Sequence, residues 1–176
     1  MTIRKFKGTQ PVINKKAYVD ERATIIGDVT IGEESSIWPN ASIRGDVHSI
    51  KIGKRTNIQD GAILHVTSDN IFTPGGYPLI IGDDVTVGHG AILHSCIIEN
   101  QCLIGIGSII LDGARVKSNS MIAAGSLLGP NKTVEQYMLY KGVPAKPIRE
   151  LTKKEIDYIS FSAKHYVKTM KEYITK

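Results

Sequence analysis

IGDDVTVGHGAILHSCIIENQCLIGIGSII, residues 81–110, places an aliphatic residue at every sixth position. Ile81, Val87 and Leu93 come first, and Ile98, Ile104 and Ile110 follow after a one-residue deletion. A period of six is not helical. It fits short strands joined by tight turns, each strand sending one large side chain inward. Two residues before most of these anchors sits a small or β-branched residue (Val85, Ala91, Cys96, Cys102, Ser108) that points inward with it. Glycine often follows the anchor directly, as at Gly82, Gly88 and Gly105, where it is expected to supply turn conformations that other residues resist.

The pattern runs outward in both directions. Upstream lie Ile13, Val19, Ile25, Ile31, Ile37 and Ile43, then, after three extra residues, Ile52, Ile58 and Leu64; downstream lie Val116, Ile122 and Leu128. Taken in threes, the anchors define coils 13/19/25, 31/37/43, 52/58/64, 81/87/93, 98/104/110 and 116/122/128, with sides a, b and c. The insertions fall between coils and leave this register intact. The expected fold is all-β: a parallel β-helix of hexapeptide repeats over residues 11–134, each coil burying the face of the next. Residues 1–10 form an N-terminal extension, and 135–150 a connecting segment marked by Pro144 and Pro147. Over 151–176 the period changes. Thr152 and Glu155 form a capping-box pattern, and Ile156, Ile159, Ala163, Tyr166, Val167, Met170 and Ile174 recur at helical spacing. One C-terminal amphipathic α-helix should therefore lie along the β-helix or against a neighbouring subunit, its lysines solvated.

Composition excludes several classes. The chain has 176 residues, 41% of them hydrophobic, which suits one soluble domain with a real core. The net charge of +5 comes mainly from the N-terminal tip and the last quarter, and no basic stripe is interleaved with aromatics, which argues against nucleic acid. MTIRKFKGTQ carries no apolar signal-peptide region. IIENQCLIGIGSIIL, broken by Glu99, Asn100 and Gln101, is no membrane span. Cys96 and Cys102 fall at small inward positions and read as buried reduced thiols. A cytoplasmic location is the simplest expectation.

The word GAILH occurs twice, at 61–65 and 90–94. His65 follows Leu64 and His94 follows Leu93, both c anchors. The two histidines should therefore stack at one corner of successive coils, roughly 4.8 Å apart at the backbone, close enough to converge on one ion. His89 lies two past Val87, a b anchor, and would reach that ion only from a neighbouring chain. Prisms packed around a threefold axis set one chain's b column against the next chain's c column, so the spacing suggests a homotrimer with metal between subunits. By the same register Arg44 lies in the c column and Asp60 in the b column, one coil earlier. An intersubunit Arg44–Asp60 ion pair is expected there, with Asp46 nearby. His48 and His165 read as surface or internally satisfied side chains.

IRGDVHSIKIGKRTNIQDGAILHV (43–66), VGHGAILHSC (87–96) and GVPAKPIRELT (142–152) together resemble the gamma-class carbonic anhydrases, and most closely their short bacterial branch. The resemblance implies a left-handed β-helix and a homotrimer with three interface sites. There His65 and His94 of one subunit and His89 of the next bind Zn2+, or Fe2+ or Co2+. It also implies roles for Arg44, Asp46, Asn57, Gln59 and Asp60, with Asn57 and Gln59 orienting the nucleophile or the substrate oxygens. The implied reaction is reversible hydration of CO2 to bicarbonate, the ion lowering the pKa of a bound water toward about 7. The chain departs from the family's archaeal prototype at two shuttle positions, where glutamates are replaced by Val47 and Ser68. SDNIFTPGGYPL (68–79) replaces the acidic loop, and its Asp69 and Tyr77 match no shuttle position. Three alternatives stay open on the same scaffold. They are a hexapeptide acyltransferase using one intersubunit histidine as base, a thioester hydrolase, and a non-catalytic metal-binding trimer.

Overall fold

The computed structural model describes residues 2–174; Met1 and residues 175–176, the outer ends of the expected N-terminal extension and C-terminal helix, lie outside them. The chain winds as a parallel β-helix of very short strands. The three columns of anchors stack as the six-residue period predicts. On face a, Ile13, Ile31, Ile52, Ile81, Ile98 and Val116 pair in sequence, and Val134 extends the column. On face b the column is Val19, Ile37, Ile58, Val87, Ile104 and Ile122. On face c it is Ile25, Ile43, Leu64, Leu93, Ile110 and Leu128. These side chains and the small residues two positions before them fill one continuous core. Each coil leaves its apolar face to be covered by the next, so the stack is the unit of stability.

Both ends add to the prism. Strand Thr2–Arg4 pairs with Thr24–Ile26 and starts face c one coil early. Strand Met138–Gly142 continues face b through Tyr140 and closes it by pairing antiparallel with Ala145–Glu150.

The glycines that follow the anchors have a different reason from the turn freedom expected of them. Gly32, Gly53, Gly82, Gly88 and Gly105 do not have positive φ. A Cβ on Gly105 would lie 2.4 Å from the backbone nitrogen of Ala124 on the next coil, and one on Gly32 would lie 2.4 Å from the carbonyl oxygen of Gly53. At these corners adjacent backbones approach too closely for any side chain. The left-handed turn residue comes later in the corner and is often not glycine: Glu34, Asn40, Arg55, Asp84 and Asn119 all have φ between 52° and 60°.

The two large insertions occupy the same corner, between faces c and a. Gly27 pairs with Gly45 and pairing resumes at Val29 with Ile50, so residues 46–49 bulge outward. One coil later the loop 66–78 leaves the same corner. Asp46 and His65 are thereby brought to one edge of the prism.

The helix Lys153–Ile174 lies across face b of its own chain. Ile159, Ser162, Ala163 and Met170 are its buried face, and Trp38 packs edge-on against Tyr166 and Tyr173 at 5.5 and 5.3 Å between centroids. The Ser162 and Thr86 hydroxyls meet at 3.0 Å. The capping box forms: the Thr152 amide donates to Glu155 Oε2 at 2.8 Å, and the Glu155 amide to Thr152 Oγ1 at 3.3 Å. Arg149 clamps the same carboxylate with two hydrogen bonds of 2.8 Å and, with Thr152, holds it down to about 2. Cys96 and Cys102 are buried, free thiols whose burial pushes both up, Cys102 to about 11. Both are therefore poor nucleophiles. Among the described residues no helix is long and apolar enough to cross a membrane.

Candidate metal centre

His65 and His94 are directly paired across adjacent strands of face c, through the register Leu93–Leu64 and His94–His65. Their side chains turn out at the c/a corner. His65 Nδ1 and His94 Nε2 stand 3.2 Å apart, with ring centroids at 5.2 Å. The far nitrogen of each ring meets a carboxylate. His65 Nε2 lies 3.0 Å from Asp46 Oδ1, and His94 Nδ1 lies 2.6 Å from Asp112 Oδ1.

These contacts fix the tautomers. Burial works against charge on both aspartates. Hydrogen bonds from His65 and Arg44 nevertheless hold Asp46 below the usual carboxylate range, and those from Thr67 and His94 do the same for Asp112. An ionised carboxylate only accepts, so each ring must place its proton on the nitrogen facing the aspartate. With both rings neutral, two unprotonated nitrogens face each other at 3.2 Å, an arrangement that a shared cation would satisfy. Two nitrogens each 2.0–2.1 Å from a tetrahedral zinc are about 3.3–3.4 Å apart, close to the separation found here. The donor set also fits zinc, iron or cobalt, since imidazole suits all three.

His89 stands at the other edge of face c, in the b/c corner, and is half-exposed. Its Nδ1 lies 2.9 Å from Asp60 Oδ2 of the coil before, which leaves Nε2 as the free nitrogen. Gln59 Oε1 accepts from the His89 amide at 3.2 Å, and Gln59 Nε2 donates to Asn57 Oδ1 at 3.0 Å. Asn57 is buried beneath the helix and donates to Thr86 Oγ1 at 3.0 Å. Gln59 thus reaches the turn that carries His89, and Asn57 braces Gln59. A groove of 480 Å³ runs from Gln59 and His89 between face b and the helix, past Leu103, Met121 and Tyr158. Arg44 pairs with Asp46 in its own chain. Arg44 and Asp60 occupy opposite edges of face c, so their expected pairing requires a second copy. Among the described residues no three His, Cys, Asp or Glu side chains of one chain are grouped to hold an ion.

The other expected positions are engaged elsewhere. Val47 is exposed, and Asp69 Oδ1 accepts from the Gly75 amide at 2.8 Å inside its own loop. His48 Nδ1 accepts from the Ser49 amide at 2.7 Å, and His165 stacks on Phe161 at 5.8 Å. Asp112, absent from the residues singled out by sequence, is the one the structure adds. It lies two past the c anchor Ile110, one coil beyond His94. That offset is the only sign of it in the sequence.

Fold and corner together define a hexapeptide-repeat β-helix protein with a paired-histidine site. No protein-family model matches the chain. A carbonic anhydrase of Geobacillus kaustophilus is 47% identical over 92% of the chain and 85% of its own length. The mitochondrial gamma carbonic anhydrase 2 of Arabidopsis thaliana is 45% identical over 89% of the chain, which spans 56% of that protein. A Bacillus cereus crystal structure named for an acetyltransferase superposes with a TM-score of 0.91 at 45% identity, covering 98% of this chain and 96% of that one. The chain belongs to the gamma-class carbonic anhydrase family.

Proposed function

We propose that the protein is a metal-dependent gamma-type carbonic anhydrase that interconverts CO2 and bicarbonate at the interfaces of a homotrimer. His65 and His94 of one subunit and His89 of the next would hold the ion, Zn2+ or alternatively Fe2+ or Co2+. The observation that carries this reading is the pair of carboxylate-fixed imidazoles with their free nitrogens 3.2 Å apart. An ion held there would supply the Lewis acidity that makes water nucleophilic at neutral pH.

The outer surface of face c supports the trimer. Ile63, Ile92, Ile109 and Leu127 stack there in register as an apolar ladder, Ile63 being 46% exposed. A continuous apolar stripe is unusual on a solvated surface and marks a contact face. Face b is covered by the helix, whereas face c is flanked by the two histidine corners. Three copies turning face c inward bring each b/c corner, with His89, to the neighbour's c/a corner, with His65 and His94. The same packing brings Asp60 toward the neighbour's Arg44. Within the site, Asp46, Asp60 and Asp112 orient the three imidazoles, and Gln59, braced by Asn57, holds the His89 turn.

Stopped-flow CO2 hydration on protein purified without oxygen and loaded with zinc or iron tests the reading. Rapid hydration with one ion per subunit, abolished by chelation, is expected. A metal-loaded trimer inert toward CO2 would contradict it. Turnover of acetyl-CoA by that inert trimer would turn attention to the acyl-transfer or thioesterase alternatives.

A further inference from the structure

The aspartate on His94 is itself held by the loop that follows His65. Thr67 Oγ1 donates to Asp112 Oδ2, while Asp112 Oδ1 accepts from His94 Nδ1 at 2.6 Å. The loop is pinned at this point a second time. The Thr67 amide donates to Ser95 Oγ at 2.6 Å, and Ser95 Oγ donates to the Tyr77 carbonyl at 3.0 Å. The Tyr77 amide returns to the Thr67 carbonyl at 3.1 Å, closing the base of loop 66–78. Ser95 follows His94 directly, is 1% exposed, and has φ +46°. Its hydroxyl ties the two ends of the loop to the residue that follows the histidine.

Resting on the metal-site reading above, we propose that Thr67 and Asp112 are positioning residues for His94, through which loop 66–78 sets how tightly the site grips a divalent cation. Asp112 fixes the tautomer and raises the basicity of Nε2. Thr67 fixes the carboxylate, so that the ring cannot swing without breaking the base of the loop. Partners of this kind change metal affinity about 10–100-fold when removed.

Cobalt(II) titration followed by visible absorption tests this on the full-length protein. Asp112→Asn should weaken cobalt binding about 10–100-fold and alter the d–d spectrum. Thr67→Val should weaken it less, and Thr67→Ser, which keeps the hydroxyl, should restore native affinity and spectrum. A Thr67→Val protein with native cobalt affinity and spectrum would overturn the proposal, and it decides the matter even if Asp112→Asn does not fold. Failure of the native chain to bind cobalt would instead overturn the metal-site reading, and this inference with it.

Discussion

On the proposed shared site, replacing His89 by alanine should leave a folded chain with neither bound metal nor CO2 hydration. The side chain is half-exposed at a corner, where it meets Asp60 on the coil before. The anchors around it, Val87 and Leu93, remain fully buried. Surface substitutions away from core or caps usually change stability by less than about 0.5 kcal/mol, so melting should be near native. Metal affinity is another matter. Removing a partner behind a ligand costs about 10–100-fold, and removing one of three ligands should cost more. Metal content after gel filtration, read beside the hydration rate, checks this. Retention of one ion per subunit would show that His65 and His94 suffice without the neighbour's imidazole.

Gly105→Ala should be among the most damaging single methyls in the repeat. Its new Cβ would meet Ala124 N at 2.4 Å, Ala123 C at 2.6 Å and Ile122 O at 2.7 Å, all backbone of the next coil. Nothing flexible can yield, so two coils must part locally. Overpacking of this kind costs about 1–3 kcal/mol or more, and a chain of this size loses about 2–4 °C in melting temperature per kcal/mol. Gly107→Ala is the control two residues away. That glycine has φ +63° and open space around its Cβ position, so only the left-handed backbone penalty of about 1–2 kcal/mol applies. Thermal melts of the two variants separate close approach from turn freedom. A larger drop for Gly107→Ala would contradict the close-approach account.

Much of this fold is legible in the sequence because its period is short and its core has one rule. Each anchor needs an aliphatic side chain, so the columns can be counted, and two insertions do not disturb the count because they leave from one corner. The count places His65 beside His94 and sets His89 on another edge. It also places Asp60 one coil before His89 in the same column, although opposite charge points to Arg44 as its partner. The structure puts Asp60 on His89 Nδ1 and Arg44 on Asp46 within the chain. Asp112 is not legible in the repeat because its role depends on a ring rotamer and on a loop folding back, neither of which a repeat encodes. The glycines are visible in the repeat, but their reason is not. Period alone cannot distinguish a residue needed for its φ from one needed for its missing Cβ.

The most direct test of the shared site mixes two defective chains. One carries His89→Ala; the other carries His65→Ala and His94→Ala. Each alone should hold no metal. In any mixed trimer with cyclic symmetry, one interface joins an intact His65–His94 corner to an intact His89 corner. Random assembly at equal amounts makes about three-quarters of trimers mixed, so the mixture should recover about one-quarter of native metal content and activity. Recovery near that level is the result this account predicts. A mixture that stays free of metal, from variants that still form trimers, would contradict it.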